Sequence, residues 1–574
     1  MSKNGSNSTS STPVHINTLI IQDISTLIDD NQFNKALDYL TSLTEQQIYD
    51  NTWDLCTYLV NLLEKPSDKL CNEYEIYSQD ALIYVAEHGN PREMLIIMLE
   101  QSDKFISDET FIFYIKLFFI IIKRLPLKPS LIRSIDDILS LLKCHLTTLE
   151  LPTINNDFAG KDLLVFNQDH RVTHLLKLTQ SYVDFICQLR DYFSTTTINN
   201  ILPILAKYLI SLLQEPLSSL SYEPINSQES SSFTSIRPLL DCLFTLNSNP
   251  IQLIDDKEQQ SVFVYLLLTK NTYFSLLPCV YSPYFYLILS IPFIQQLSND
   301  RERVMLTEKA CVLVSNVCSR LKQNKEFDQT LLDNNDIHIL IDTLKMLMVQ
   351  SPARQYAPLT IGAYRSLFRS FNPLGRYTFL RQQLAKTPIS EDSYRTFLCT
   401  LVKDEFLYDY RSSSSGIYKG LSLFQLLDYL CRLPNGIESD LLEIYDCLCS
   451  ALNFIRFIGL IDKRSINRTL LWSERLSHLN ETFIQPLRKS IELARAHYKL
   501  EIKNRKEDNK PQKMDTEILV DSKPLSMPNK QEQLETLHSA ITKFDILDCI
   551  LSTLSETFGG EFSCGIHSAT KGFK

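Results

Sequence analysis

Glycine is the residue that most restricts what this chain can become, because it occurs only 13 times in 574 positions, against an average usage of roughly 7%. Left-handed turns, bulges and phosphate-cradling loops all draw on glycine, so nucleotide-binding α/β folds and β-rich folds lack their raw material here. An all-α chain remains. Apolar residues at 44% and charged residues at 22% are close to those of a folded globular protein, enough to bury a core along most of the length. A chain of this length is either roughly three or four domains or one elongated repeat array.

Apolar residues recur at helical spacing almost to the end, and proline punctuates them at positions such as Pro91, Pro126, Pro203, Pro250, Pro292, Pro352, Pro388, Pro434 and Pro486, at intervals of one or two helices. The clearest unit begins at Leu421. Leu423, Leu426, Leu427 and Leu430 share one face, with Gln425, Asp428 and Arg432 on the other, and Leu433-Pro434-Asn435-Gly436 breaks the helix. Ser439 or Asp440 can then cap a second helix in which Leu441, Ile444, Tyr445, Leu448, Leu452 and Ile455 repeat the stripe. Such a hairpin must bury its stripe against neighbouring hairpins. A further helix carries Trp472, Leu476, Leu479 and Phe483, with Pro486 ending or kinking it and Leu487, Ile491, Ala494 and Tyr498 continuing the stripe; a last one, about Gln531 to Glu556, shows Leu534, Leu537, Ile541, Phe544, Leu547, Leu551 and Leu554. The pattern predicts an all-α, HEAT-like helical-repeat solenoid, an α-α superhelix. Its organisation reads as a disordered N-terminus over 1–14, an N-terminal helical-repeat region over 15–255, a C-terminal HEAT-like region over 256–558 with a flexible linker at 504–530, and a disordered tail over 559–574. Ser218 to Ser235 reads as a Ser-rich loop.

The balance of 57 Lys and Arg against 67 Asp and Glu gives a net charge of −10, which argues against nucleic acid or an anionic membrane as the main partner and in favour of proteins. Fourteen cysteines without a C-x-x-C pair read as reduced thiols in the cytoplasm or nucleus. Residues 1–13 lack the apolar core of a signal peptide. The apolar windows Thr110 to Ile122 and Val262 to Leu268 are shorter than the roughly 20 residues needed to span a bilayer and read as buried helices.

Phosphate-binding and nucleophile-elbow motifs are missing, and so is any cofactor signature. His170 and His174 could share a helix face, yet the stretch His170-Arg171-Val172-Thr173-His174 lacks the glutamate of H-E-x-x-H and reads as helix surface rather than zinc. Cys447 and Cys449 point to different sides of one helix, Cys449 nearer the stripe, and together with Cys311 and Cys318 read as core. Residues 486–506 hold seven cations against two anions. Such a reversal of sign suits either an acidic partner or a solvated helix face.

Several stretches resemble the glomulin family: Leu421 to Leu433 followed by Pro434-Asn435-Gly436-Ile437-Glu438-Ser439-Asp440-Leu441-Leu442; Ala451-Leu452-Asn453-Phe454-Ile455-Arg456-Phe457; Trp472-Ser473-Glu474 leading to Phe483-Ile484-Gln485-Pro486-Leu487; Ala496 to Asn504; Leu537 to Asp545; Gly375 to Arg381; and, far upstream, Asn90 to Leu95. The likeness covers about the last 290 residues well and the first 260 thinly. Residues 504–530, the Ser-rich stretch and the tail after Phe558 depart from the family pattern.

The resemblance implies a solenoid without enzymatic activity or cofactor that binds the RING-box subunit of cullin–RING ubiquitin ligases through its C-terminal repeats, covering the surface that would receive a ubiquitin-conjugating enzyme. Family members are also linked to an immunophilin and a receptor tyrosine kinase, and distant relatives to a stress-response transcription factor, so a general adaptor is the alternative. Two or three hairpins could supply the roughly 1,200–2,000 Å² of a stable interface. Exposed positions within the matching segments are the expected protein-binding residues: Arg376, Arg381, Gln425, Arg432, Arg456, Arg488, Arg495 and His497. Trp472 and Tyr498 read as core residues first.

Overall fold

The computed structural model describes residues 14–63, 71–101, 108–152, 166, 169–194, 201–224, 229–247, 249–274, 283–300, 303–321, 326–350, 357–412, 416–465, 469–471, 475–507, 519–520, 523–524 and 530–559. Trp472, the centre of the predicted linker and the tail from Gly560 onward lie outside them. The described residues divide into two compact units, one drawn from Met1–Tyr281, Leu289–Leu313 and Pro352–Leu359, the other from Ser282–Ile288, Val314–Ser351 and Thr360–Lys574.

Helices in the first part of the chain are α1 Val14–Asp29, α2 Phe33–Ser42, α3 Glu45–Asp50, α4 Thr52–Leu63, α5 Cys71–His88, α6 Pro91–Gln101, α7 Asp108–Arg124, α8 Pro129–Thr148, α9 His170–Ser194, α10 Ile201–Ser211, α11 Ser231–Leu246, α12 Lys257–Thr269 and α13 Asn271–Phe274. Next come α14 Pro283–Asn299, α15 Val304–Leu321, α16 Asn335–Gln350, α17 Ala357–Arg369, α18 Pro373–Lys386, α19 Asp392–Ser412, α20 Gly420–Leu430, α21 Tyr445–Ser465, α22 Leu476–Leu479, α23 Gln485–Glu507 and α24 Lys530–Thr557. The fold is all-α, in the helical-repeat class. Among the described residues the only strands are a two-residue antiparallel pair, Leu519–Val520 with Lys523–Pro524.

The apolar windows are core helices. In α7, Phe111, Phe113, Tyr114, Ile115, Leu117, Phe118, Ile121 and Ile122 are buried, and in α12 so are Val262 to Leu266 and Leu268. No described helix is long and apolar enough to cross a membrane. Pro292 does not separate two helices but lies inside α14. The proline removes one backbone donor, and the burial of Leu287, Ile291, Ile294 and Leu297 around it holds the helix together.

The Ser-rich stretch is more embedded than its composition implies. Ser218, Ser221, Ser230 and Ser232 are buried, and α11 begins at Ser231. Beneath the stretch lies a buried charged pair on α15. Lys309 donates to the carbonyls of Ser218 at 2.7 Å and Leu220 at 2.5 Å, while Glu308 accepts from Ser221 at 3.0 Å. Arg303 joins from the rim, bound to Glu258.

In the second unit the hairpins are stacked in two rows. α18 packs on α20 in one row, while α19, α21 and α24 pack successively in the other, with α23 against α24. Within the Leu421 hairpin, Leu423, Leu426, Leu427 and Leu430 are buried, as the spacing predicts, and Phe424 is buried with them. Gly436 takes φ of +57° at the break, a conformation in which glycine carries no side-chain penalty. Of the following stripe, Leu441, Ile444, Leu448, Leu452 and Ile455 are buried, while Tyr445 is only half-buried.

The cap of that second helix differs from expectation. Asp440 accepts from the amides of Leu442 and Glu443 in a turn, and α21 starts only at Tyr445. Its first amides are taken by another helix: Asp392, at the start of α19, accepts from Asp446 at 3.0 Å and Cys447 at 2.9 Å. Farther along, Phe406 meets Phe454 and Phe457, so α19 and α21 run parallel. Cys447 is the deeply buried thiol of its pair and Cys449 only half-buried, because α19 covers the Cys447 side.

Pro486 neither ends nor sharply separates its helix. A π-helical turn over Asn480–Ile484, closed by the Gln485 amide on the Asn480 carbonyl, leads into α23 and spares the chain the donor that proline lacks. Phe483, Ile484, Leu487 and Ile491 are buried there. α24 covers the end of the unit with Phe544, Leu547, Leu551 and Leu554, while Leu534, Leu537 and Ile541 are half-buried. Phe558, just beyond α24, is fully buried against Gly459 of α21.

Candidate functional site

The eight expected protein-binding residues all fall in the second unit, and the structure gives them different positions. Arg376 is buried, not exposed. Its guanidinium donates to Glu405 at 2.8 Å and to the Phe371 carbonyl at 2.7 Å. Burial pushes the Glu405 carboxyl up, and the Arg376 charge pulls it back down. The arginine thus binds α18 to α19. Gln425 is half-buried and accepts from Tyr377 at 2.9 Å.

Arg488 and Arg495 serve α23 and α24. Arg488 donates to Ser555 at 2.6 Å, and Arg495 bridges Asp545 at 2.9 Å and Asp548 at 3.2 Å. Much of the positive stretch over 486–506 is therefore engaged internally; Arg505 likewise pairs with Glu501 and Gln533. Facing solvent along α23 is a row of Lys489, Leu493, Ala496, Leu500 and Lys503, with Glu492, His497 and Lys499 also exposed beside it. Leu493 and Leu500 are 58% and 57% exposed. Tyr498 is half-buried, its ring 5.4 Å from that of Phe544.

Arg381 and Arg432 are exposed. Arg456 is half-buried on α21, where it lines a surface groove with Lys403 and Asp404 of α19. Sequence reasoning missed Lys403. The alternation of exposed positions on α19 could have shown it to be solvent-facing, but its proximity to Arg456 follows only from the parallel packing of two helices separated by a hairpin.

Among the described residues, no group of three or more His, Cys, Asp and Glu side chains stands close enough to hold a metal ion. His170 is exposed beside Asp169, while His174 and Lys177 both reach Asp108 of α7. Cys399, Cys431 and Cys447 are buried; burial pushes Cys399 up to about 12 and raises the other two, so these thiols stay protonated and inert near neutrality.

Residues 291–523 match the family described as an uncharacterised protein family, YAP/Alf4/glomulin. Glomulin of Homo sapiens is 25% identical over 300 residues, covering 52% of this chain and 50% of that protein. Glomulin of Mus musculus is 25% identical over 302 residues, with the same coverage of 52% and 50%. The chain therefore spans about half the length of the curated relatives it matches. A solved structure described as a circular tandem repeat protein with novel repeat topology and enhanced subunit contact surfaces aligns over 95% of this chain and 90% of its own. Its identity is 9% and its TM-score 0.17, too low to carry an argument. By the family match over residues 291–523 and the two homologous sequences, the chain is similar to glomulin-family proteins over about half its length.

Proposed function

We propose that this protein is a non-catalytic inhibitor of cullin–RING ubiquitin ligases that acts in the cytoplasm by binding the RING-box subunit through its C-terminal helical repeats. The observation carrying the proposal is the family match over residues 291–523, in the half to which the resemblance assigns RING binding. Inhibition on this reading is competitive: two proteins cannot occupy one RING face, and no chemical group on this chain is required.

The surface chemistry supports the proposal. The solvent-facing row on α23 pairs Leu493 and Leu500 with Lys489 and Lys503, the apolar centre and charged rim that protein interfaces favour. The clamp from Arg488 and Arg495 to α24 keeps that row on a rigid support. The test is a pull-down with an isolated RING-box protein, followed by a ubiquitin-chain assay over a range of conjugating-enzyme concentrations. Retention of the RING-box protein with slower chain formation, relieved by excess conjugating enzyme, is expected. A protein that neither binds the RING nor slows chain growth refutes the proposal and leaves the adaptor reading.

A further inference from the structure

The outer face where α19 and α21 run side by side carries a groove of about 510 Å³. Thr400 and Lys403 form one wall, Asn453 and Arg456 the other, and Phe457 and Leu460 contribute its apolar surface. The Lys403 ammonium lies 5.5 Å from the centre of the Phe457 ring. Leu460 is 41% exposed, and the Nε of Arg456 is buried with no hydrogen-bond partner.

Charge on this face runs opposite to that of the chain. From Thr400 along α19 and from Tyr445 along α21, Lys403, Arg411, Arg456, Lys463 and Arg464 reach the surface against two anions, Asp404 and Asp446, while the whole protein carries −10. The other carboxylates on these stretches are buried on partners of their own: Glu405 on Arg376, Asp409 on the amides of Gly416 and Tyr418, and Asp462 on Thr469. Asp404 is turned toward Arg365 of α17 at 3.9 Å. Cations near the carboxyl ends of helices are explained by the helix dipole, which accounts for Arg411, Lys463 and Arg464. Lys403 and Arg456 sit in the middle of their helices, where the dipole supplies no reason for them.

We infer that the α19–α21 groove is a docking site for an acidic peptide segment of another protein, whose carboxylates pair with Lys403 and Arg456 and whose apolar side chain rests on Phe457 and Leu460. A carboxylate paired with the half-buried Arg456 guanidinium makes a charge-assisted bond, and such bonds to arginine are the stronger kind. A groove of this volume takes a few side chains rather than a folded domain. Nucleic acid fits less well, because the cations flank an apolar floor instead of following a backbone track beside exposed stacking rings. The inference stands apart from the ubiquitin-ligase proposal, since peptide binding is measured with no RING protein present.

The test uses the full chain and a fluorescein-labelled 12-residue peptide of Asp and Glu around a central Leu-Phe pair, titrated by fluorescence anisotropy. Saturable binding is expected, weakened about tenfold by Lys403→Glu with Arg456→Glu and about threefold by Lys403→Glu alone, which alters an exposed position and so guards against misfolding of the double variant. Leu460→Ser should cost about threefold with this peptide and nothing with one carrying Ser-Ser at its centre. Lys489→Glu with Lys499→Glu on α23 should leave binding within about twofold. No saturation below about 1 mM peptide, or affinity unchanged by the Lys403 and Arg456 substitutions, overturns the inference. So does an oligonucleotide of equal charge that binds as tightly with the same losses.

Discussion

Gly459 stands in the middle of α21, where glycine ordinarily costs a helix about 1 kcal/mol relative to alanine. Its reason is Phe558. A methyl group placed on Gly459 would lie 2.5, 2.9 and 3.1 Å from three carbons of that ring, whereas carbon atoms rest at about 3.5–4.0 Å. The ring would have to retreat by about 1 Å, yet it is 0% exposed. Overpacking of this kind costs about 1–3 kcal/mol. After subtracting the helical gain of alanine, Gly459→Ala should destabilise the α21–α24 contact by about 1–2 kcal/mol. Because the chain has two units, a single melting temperature is a poor gauge. Hydrogen exchange at amides 445–465 and 530–557 reports the contact directly. The decisive measurement is the double-mutant cycle. With Phe558→Ala the obstacle is gone, and the same Gly459→Ala change should now stabilise α21 by up to about 1 kcal/mol. If Gly459→Ala stabilises the parent protein, or has the same sign in both backgrounds, the reasoning fails.

Removing the buried Arg376 should strand Glu405, so Arg376→Ala is expected to cost about 3–5 kcal/mol in denaturant unfolding, with most of it recovered in Arg376→Met with Glu405→Leu; equal losses in both would contradict this. Arg495→Ala breaks two partly exposed ion pairs and should cost about 1 kcal/mol or less, measured as faster exchange along α24, whereas Lys489→Ala should stay within about 0.5 kcal/mol. A pH test concerns Glu308, whose carboxyl burial raises to about 7 despite Lys309 beside it, with Glu223, Lys270 and Arg303 around the pair. A raised folded value means stability that is complete below the ordinary carboxylate range and is lost as pH rises through about 7. Glu308→Gln should therefore flatten the stability profile between about pH 4.5 and 7, and an unchanged slope in urea titrations would exclude this role.

What the sequence revealed and what it hid follow from where each force originates. Scarce glycine and the spacing of Leu423, Leu426, Leu427 and Leu430 are local properties, and they predict the helices and their buried faces because a stripe on one helix marks its own inward side. The burial of a charge is not local. Arg376 and Arg488 look like surface residues until Glu405 and Ser555 arrive from 29 and 67 positions away. Lys309 sits amid the apolar α15, and its partners belong to a loop that composition marks as exposed. The candidate surface was legible to the same degree: Arg456 could be named as solvent-facing in part, but the groove exists only once Lys403 is brought beside it.

The reach of Asp392 to the amides of Asp446 and Cys447 has a consequence for how the second unit comes apart. A repeat array behaves as a chain of nearest-neighbour couplings, and its cooperativity depends on how much each repeat's stability resides at the junction rather than within it. Here the first turn of one repeat has its donors satisfied by the opening residue of the previous one, so that turn is incomplete until its neighbour has folded. The junction therefore carries backbone hydrogen bonds as well as side-chain packing. Fraying that reaches α19 also uncaps α21, which favours loss of the two repeats together over peeling one at a time.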